Sequence, residues 1–211
     1  MNALILGASG LVGGKCLDLL LDNPQYTQVV VLGRRRLSKE HQKLLYVVSD
    51  LSDLASFEPP VPIHHVFCAF GTTIRKAGSE AEMERIDVGI PLMIARTMKA
   101  QGAFFFGLVS SIGANAHSRV FYSRIKGELE QSILALNFDQ TLIVRPSMID
   151  GERSDDSRFA EQLFKGIMRV LPLTYRTIPA ERIALALVRG AFAKLPKSTI
   201  WNSKQLWDMP K

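Results

Sequence analysis

Three side chains in the second half of the chain have the types and spacing needed to move a proton: Ser111, Tyr122 and Lys126. A free phenol titrates at about 10, too high to exchange protons near neutrality. A cation one helical turn away stabilises the phenolate and brings that exchange within reach. Residues 120–136 carry apolar side chains at Ile125, Leu129, Ile133 and Leu136, a helical period that places Tyr122 and Lys126 on one face. A serine hydroxyl ahead of that helix is suited to orienting a substrate carbonyl, with Ser111 preferred and its neighbour Ser110 kept as the alternative. By itself Y-x-x-x-K also describes an amphipathic helix with a half-buried tyrosine beside an exposed lysine. The set becomes a carbonyl-reduction site only with a hydride donor beside it.

The start of the chain has the pattern of such a donor's binding site. An apolar run at residues 3–6 passes into Gly7-Ala8-Ser9-Gly10-Leu11-Val12-Gly13, spaced G-x-x-G-x-x-G, and helical periodicity follows through Cys16, Leu17, Leu20 and Leu21 until Asp22-Asn23-Pro24. A strand that turns through glycine into a helix presents unpaired N–H groups and a positive dipole end, which suits a pyrophosphate. In this pattern Gly7 makes the turn, Gly10 admits the phosphates and Gly13 lets the helix pack on its strand. Val29-Val30-Val31-Leu32 completes a β-α-β unit.

After that second strand an NAD site would carry an Asp or Glu to bond the ribose hydroxyls. Here the chain reads Gly33-Arg34-Arg35-Arg36. Guanidinium groups grip a 2′-phosphate that a carboxylate would repel, so NADP(H) is expected over NAD(H), with Arg34 and then Arg35 as the contacts. A solvated basic turn is the plainer alternative.

Further strands are expected at residues 44–48, 64–70, 104–109 and 138–144, and ligands of open α/β sheets bind at the carboxyl ends of such strands. Those ends assign Asp50 and Leu51 to the adenine, Ala69, Phe70, Gly71 and Thr72 to the ribose and phosphates, and Arg145 and Pro146 to the nicotinamide side. Asp50 or Ser52 could instead cap a short helix through Ser56. His64 and His65 stand at the far end of their strand and are assigned to structure, with no metal expected. Arg75 and Lys76 fall in a polar loop. A helix is expected over 79–100, opened by the capping box Ser79-x-x-Glu82, bent by Pro91, and burying Ile86, Ile90, Met93, Ile94 and Met98. Later elements are a helix carrying Phe159, Leu163, Phe164, Ile167 and Met168, another over 183–192, and a final strand at 198–201 with a turn at Leu206-Trp207.

The chain has 211 residues, 47% hydrophobic and 22% charged, enough for one substantial core. The expectation is a single α/β domain over 1–211, a doubly wound parallel sheet with a small substrate-side region over about 146–211. A net charge of +6 is diffuse apart from the arginine triplet, with no finger or stacking motif, so nucleic acid is set aside in favour of a small-molecule substrate. No apolar run is long enough to cross a bilayer and no secretion signal is visible, so a cytoplasmic protein without membrane contact is expected. Cys16 and Cys68 read as core thiols.

The segments GASGLVG (7–13), LGRR (32–35), AFGTT (69–73), VSSIGA (109–114), YSRIKGELE (122–130) and RPSMIDGER (145–153) together resemble an atypical short-chain dehydrogenase/reductase, closest to the group around the HIV Tat-interacting protein. The resemblance implies a Rossmann fold of strand order 3-2-1-4-5-6, with Tyr122 as acid and base. It also implies that Lys126 binds the nicotinamide ribose and tunes the tyrosine, while Ser111 orients substrate. The function expected is NADP(H)-dependent reduction of a small carbonyl or quinone-like compound. A cofactor-bound sensor or scaffold with little turnover is the alternative, and monomer and homodimer both remain open. Sugar-nucleotide epimerase chemistry is less attractive because long substrate-domain insertions are lacking.

Overall fold

Strands that are apolar almost throughout must be covered on both faces, and here they are. The computed structural model describes residues 1–150 and 177–210. Its strands are β1 (Asn2–Leu6), β2 (Gln28–Gly33), β3 (Leu44–Val48), β4 (His65–Cys68), β5 (Phe105–Val109), β6 (Gln140–Arg145), β7 (Ile149–Asp150), β8 (Ile178–Pro179) and β9 (Ser198–Asn202). Seven of them form one parallel sheet in the order β3-β2-β1-β4-β5-β6-β9, while β7 and β8 make a separate two-stranded ladder. The expected order 3-2-1-4-5-6 is therefore present, extended by β9 at the outer edge of β6.

The helices are α1 (Leu11–Asp22), α2 (Ile74–Ala77), α3 (Glu80–Glu84), α4 (Ile90–Ala100), α5 (Phe121–Ala135), α6 (Ala180–Gly190) and α7 (Ser203–Asp208), with a π segment at Arg85–Gly89. Alternate strand residues point to opposite faces. Ala3, Ile5, Val29, Val31, Phe67 and Phe105 meet α1 and α6, which bring Cys16, Leu17, Leu20, Ile183 and Leu187. Leu4, Leu6, Val30, Leu32, Val66 and Phe106 meet α4 and α5 through Ile90, Ile94, Met98, Leu129 and Ile133. Each fully buried Leu or Ile contributes about 1.5–3 kcal/mol. Asn23 precedes Pro24, is extended, and ends α1 as the sequence implied.

Several expectations are corrected by local chemistry. The helix expected over 79–100 is not bent at Pro91 but interrupted before it. Proline cannot donate to the carbonyl four residues back, and the chain opens into the π segment, whose Ile90 N–H reaches Arg85 O, leaving Pro91 in the first turn of α4. Met93 faces outward, Ile86 is half-buried, and Ala95 joins Ile90, Ile94 and Met98 in the core. Ser79 caps α3 by accepting from Glu82 N–H, but the Glu82 carboxylate pairs with Arg85 instead of closing a capping box. No helix follows Asp50: its carboxylate accepts from Ser52 N–H and Oγ–H, and Leu51 is left-handed at φ 65°. Arg75 and Lys76 lie on the single turn α2. Leu206 and Trp207 are helical rather than in a turn, because Asn202 and Gln205 close a capping box on α7. The helix expected to carry Phe159, Leu163, Phe164, Ile167 and Met168 lies outside the described residues.

His65 is placed at the end of β4 away from the glycine turn, its Nδ1 2.7 Å from Tyr26 Oη within a cluster that includes Phe67, Phe104, Phe105 and Phe192. Burial, with lesser contributions from His64 and the N-terminal amino group, pushes its pKa from 6.5 down to about 4. The unfolded chain thus binds a proton first as pH falls. Stability is full above about 6.5 and drops by about 1.4 kcal/mol per unit between there and about 4. Urea midpoints measured from pH 7 to 4.5 should follow that slope, and His65→Gln should flatten it.

Candidate active site

The turn after β1 is shaped by what glycine lacks. Gly7 has φ +84°, and a Cβ there would stand 2.3 Å from Ala69 O. At Gly13 a Cβ would stand 2.0 Å from Gly7 O, so only glycine lets α1 lie this close to the turn. Gly10 is the N-cap and has no side-chain cap, and no acidic residue occupies the first turn. The first N–H groups of α1 and their positive dipole end are therefore left for an anion, and the cradle fits a pyrophosphate.

A cleft of about 1030 Å³ runs along the carboxyl ends of the strands. Gly7, Ala8, Ser9, Gly10, Leu11, Arg34, Arg35, Asp50, Leu51, Ala69, Phe70, Gly71 and Thr72 line it, which brings together the residues assigned to the pyrophosphate, ribose and adenine. Val12 and Gly13 are buried behind this wall. Arg34 and Arg35 are exposed, while Arg36 turns to stack over the Tyr46 ring at 5.1 Å. The Asp50 carboxyl is held below its usual range by its bonds from Ser52. Sequence reasoning missed Lys15, Asp18, Lys39, Thr73 and Arg85 on the same wall. Most of their charge is matched locally, Lys15 by Glu181 at 2.8 Å, Lys39 by Asp18, and Arg85 by Glu82.

Beyond Gly71 lies the Ser-Tyr-Lys set. Ser110 continues the ladder through its N–H to Val144 O, and its hydroxyl donates to the buried Glu130. Ser111 Oγ is buried and has no hydrogen-bond partner among the described residues. The two serines, alike in sequence, are thereby separated: the hydroxyl of one is held by Glu130 and that of the other is left unpaired among the described residues. Tyr122 and Lys126 sit on the first turns of α5, the ammonium 5.7 Å from the centre of the phenol ring. The loop from Ser111 is laid on α5 at Gly127, where a Cβ would stand 2.1 Å from Ala116 N, and Asn115 N–H bonds Ser123 O at 2.9 Å.

Lys126 is fully buried, and its Nζ lies 2.8 Å from Asp87 Oδ2. Burial works to lower the ammonium's pKa, but the Asp87 carboxylate, with Tyr122 and Cys68 adding, outweighs it and leaves the pKa raised. The other oxygen, Asp87 Oδ1, accepts from Thr72 N–H at 2.7 Å. Nothing in the sequence reading pointed to Asp87. The available signal was an acidic residue between Ile86 and Val88 shortly before a mid-helix proline. Ser111, Tyr122, Lys126, Arg145 and Pro146 are not on the cleft wall itself, although Lys126 Nζ is 3.5 Å from where a Gly71 Cβ would stand. Arg145, assigned to the nicotinamide side, has its guanidinium engaged by Glu130, with Nε 2.9 Å from Oε1, and the Pro146 carbonyl accepts from Ile112 N–H.

No family model matches the chain. It is 33% identical over 228 residues to "Protein FMP52-1, mitochondrial" of Scheffersomyces stipitis, an alignment covering 100% of this chain and 99% of that protein. A short chain dehydrogenase family protein from Francisella tularensis subsp. tularensis SCHU S4 superposes with a TM-score of 0.68 at 15% identity, covering 96% of this chain and 97% of that one. MoeE5 in complex with UDP-glucose and NAD superposes with a TM-score of 0.73 at 18% identity, covering 96% of this chain and 75% of that one. These structural likenesses are of fold. The expectation of a cytoplasmic protein is overturned by the fungal relatives, whose names place them in mitochondria. The compartment is set by signals that a search for secretion leaders and membrane spans does not weigh.

Proposed function

Because this chain belongs to the FMP52 protein family and has the fold of the short-chain dehydrogenases and reductases, we propose that it is an NADP(H)-dependent oxidoreductase that reduces a small carbonyl or quinone-like compound. The mitochondrion is the compartment its relatives' names support. The observation that carries this reading is Ser111, a buried hydroxyl without a partner among the described residues, on the loop packed against the helix of Tyr122 and Lys126. Leaving such a group unpaired costs about 1–3 kcal/mol, a cost that a substrate oxygen would remove. When bound, the reduced nicotinamide supplies the hydride. Ser111 orients the carbonyl oxygen by donating to it, Tyr122 gives that oxygen its proton, and Lys126 keeps positive charge beside the phenol while meeting the ribose hydroxyls.

The phosphate end is assigned to Gly7, Gly10 and the start of α1. Arg34 and Arg35 are assigned to the 2′-phosphate, because both line the cleft and neither makes an ion pair among the described residues. A charge-assisted bond of about 1.5–3 kcal/mol makes NADPH bind roughly tenfold or more tightly than NADH. Titration of both nucleotides, read by nicotinamide fluorescence, should show that preference, and Arg34→Ala should reduce it. If neither nucleotide binds, the assignment fails. Saturable binding without turnover on a broad carbonyl and quinone panel would favour a cofactor-dependent sensor instead.

A further inference from the structure

Two carboxylates are fully buried among the described residues, Asp87 and Glu130. Glu130 is accounted for by Ser110 and Arg145. Asp87 has no part in the chemistry above, yet it touches both halves of the site. It lies within the π segment, a distortion that breaks the regular helical register and is common at functional sites. One of its oxygens holds the Thr72 N–H on the cleft wall and the other faces the Lys126 ammonium. Gly71 leaves the pair just enough room, since a Cβ there would stand 3.3 Å from Asp87 Oδ2.

We propose that Asp87 is a positioning residue for Lys126, keeping the buried ammonium charged and fixed beside the Gly71-Thr72 turn so that the cofactor's ribose end always meets a cation. This rests on the nicotinamide-nucleotide reading of the site. An ammonium at this depth without a counter-ion gives up its proton. The groups that face it are Asp87 from the π segment, Tyr122 from its own helix and Cys68 from the end of β4. Burial pushes the Cys68 thiol up to about 11, so it brings no negative charge at working pH. Glu130, one turn along α5, is bound to Arg145. Asp87 is therefore the carboxylate that holds the charge, and its Thr72 bond ties that charge to the loop contacting the cofactor.

The test is the side-chain titration of Lys126, followed by carbon NMR of the lysine ε-methylene in wild type and in Asp87→Asn, which keeps an acceptor for Thr72 N–H. Wild-type Lys126 should show no transition up to about pH 11, whereas in the variant it should titrate lower by about two units or more. Asp87→Glu, which restores the charge, should move the titration back up. Gly71→Ala spreads the pair without removing either charge and should move it down by less, which keeps the test decisive if the Asn variant does not fold. Above the displaced transition, NADPH affinity of Asp87→Asn should fall about tenfold per pH unit while that of wild type holds. An unchanged Lys126 titration in these variants overturns the proposal. If no nicotinamide nucleotide binds wild type, the functional assignment fails, and the lysine titration still decides the role of Asp87.

Discussion

Tyr122→Phe should lower the rate of carbonyl reduction by about 10²–10⁴-fold while changing nicotinamide-nucleotide affinity by no more than about threefold. The substitution removes one oxygen and keeps the ring, so the contact in which the Lys126 ammonium lies 5.7 Å from the ring centre is preserved. What disappears is the proton for the developing alkoxide, an interaction made mainly in the transition state and so expressed in kcat. Tyr122 is half-buried, its hydroxyl makes no hydrogen bond among the described residues, and the variant should unfold within about 1 kcal/mol of wild type. Single-turnover oxidation of bound NADPH, followed by absorbance with each active carbonyl substrate, measures the effect. Equal rates in the two proteins would remove the tyrosine from the chemistry.

Lys126→Ala should destabilise the fold by about 3–5 kcal/mol, the range for removing one partner of a buried ion pair. Lys126 and Asp87 side chains are 5% and 1% exposed, so the pair is not screened by water as the surface pairs are. The remaining carboxylate keeps its bond from Thr72 N–H but loses its cation, and the space left by the lysine stem adds a packing loss. The double variant Lys126→Met with Asp87→Leu removes both charges and should recover most of that loss, since apolar replacements of buried pairs are often neutral or better. Urea denaturation of the three proteins separates the contributions. A loss below about 1 kcal/mol for Lys126→Ala would mean that the pair is hydrated in solution. By contrast the exposed Lys15–Glu181 pair should contribute no more than about 1 kcal/mol.

Much of the frame was legible in the chain. The strand at Leu44–Val48 was read with the bounds it has, and the glycine turn was assigned roles that its geometry bears out for Gly7 and Gly13. Such features are local: an apolar run, a required positive φ or a helix stop is written within a few neighbouring residues. Reading failed where two local signals conflicted. A helical period from 79 to 100 containing Pro91 predicts a bend, but the chain relieves the missing hydrogen bond earlier, through the π segment. Met93 matched the apolar period and still faces outward, because the interruption shifts which residues of α4 meet the sheet.

The sequence by itself determined the α/β architecture, the glycine cradle and the candidate trio of serine, tyrosine and lysine, because each follows from hydrophobic period or from a conformation only certain residues can adopt, while the order of the first six strands came from the family resemblance that its motif segments carry. Tertiary structure alone decided that the Ser110 hydroxyl is taken by Glu130 while the Ser111 hydroxyl stays unpaired among the described residues. It also decided that Arg145 binds Glu130, and that Lys126 is held by Asp87 from another helix. Periodicity records that a side chain is buried. It does not record which group, distant along the chain, will be buried against it, and for charged and hydroxyl side chains that partner settles the chemistry.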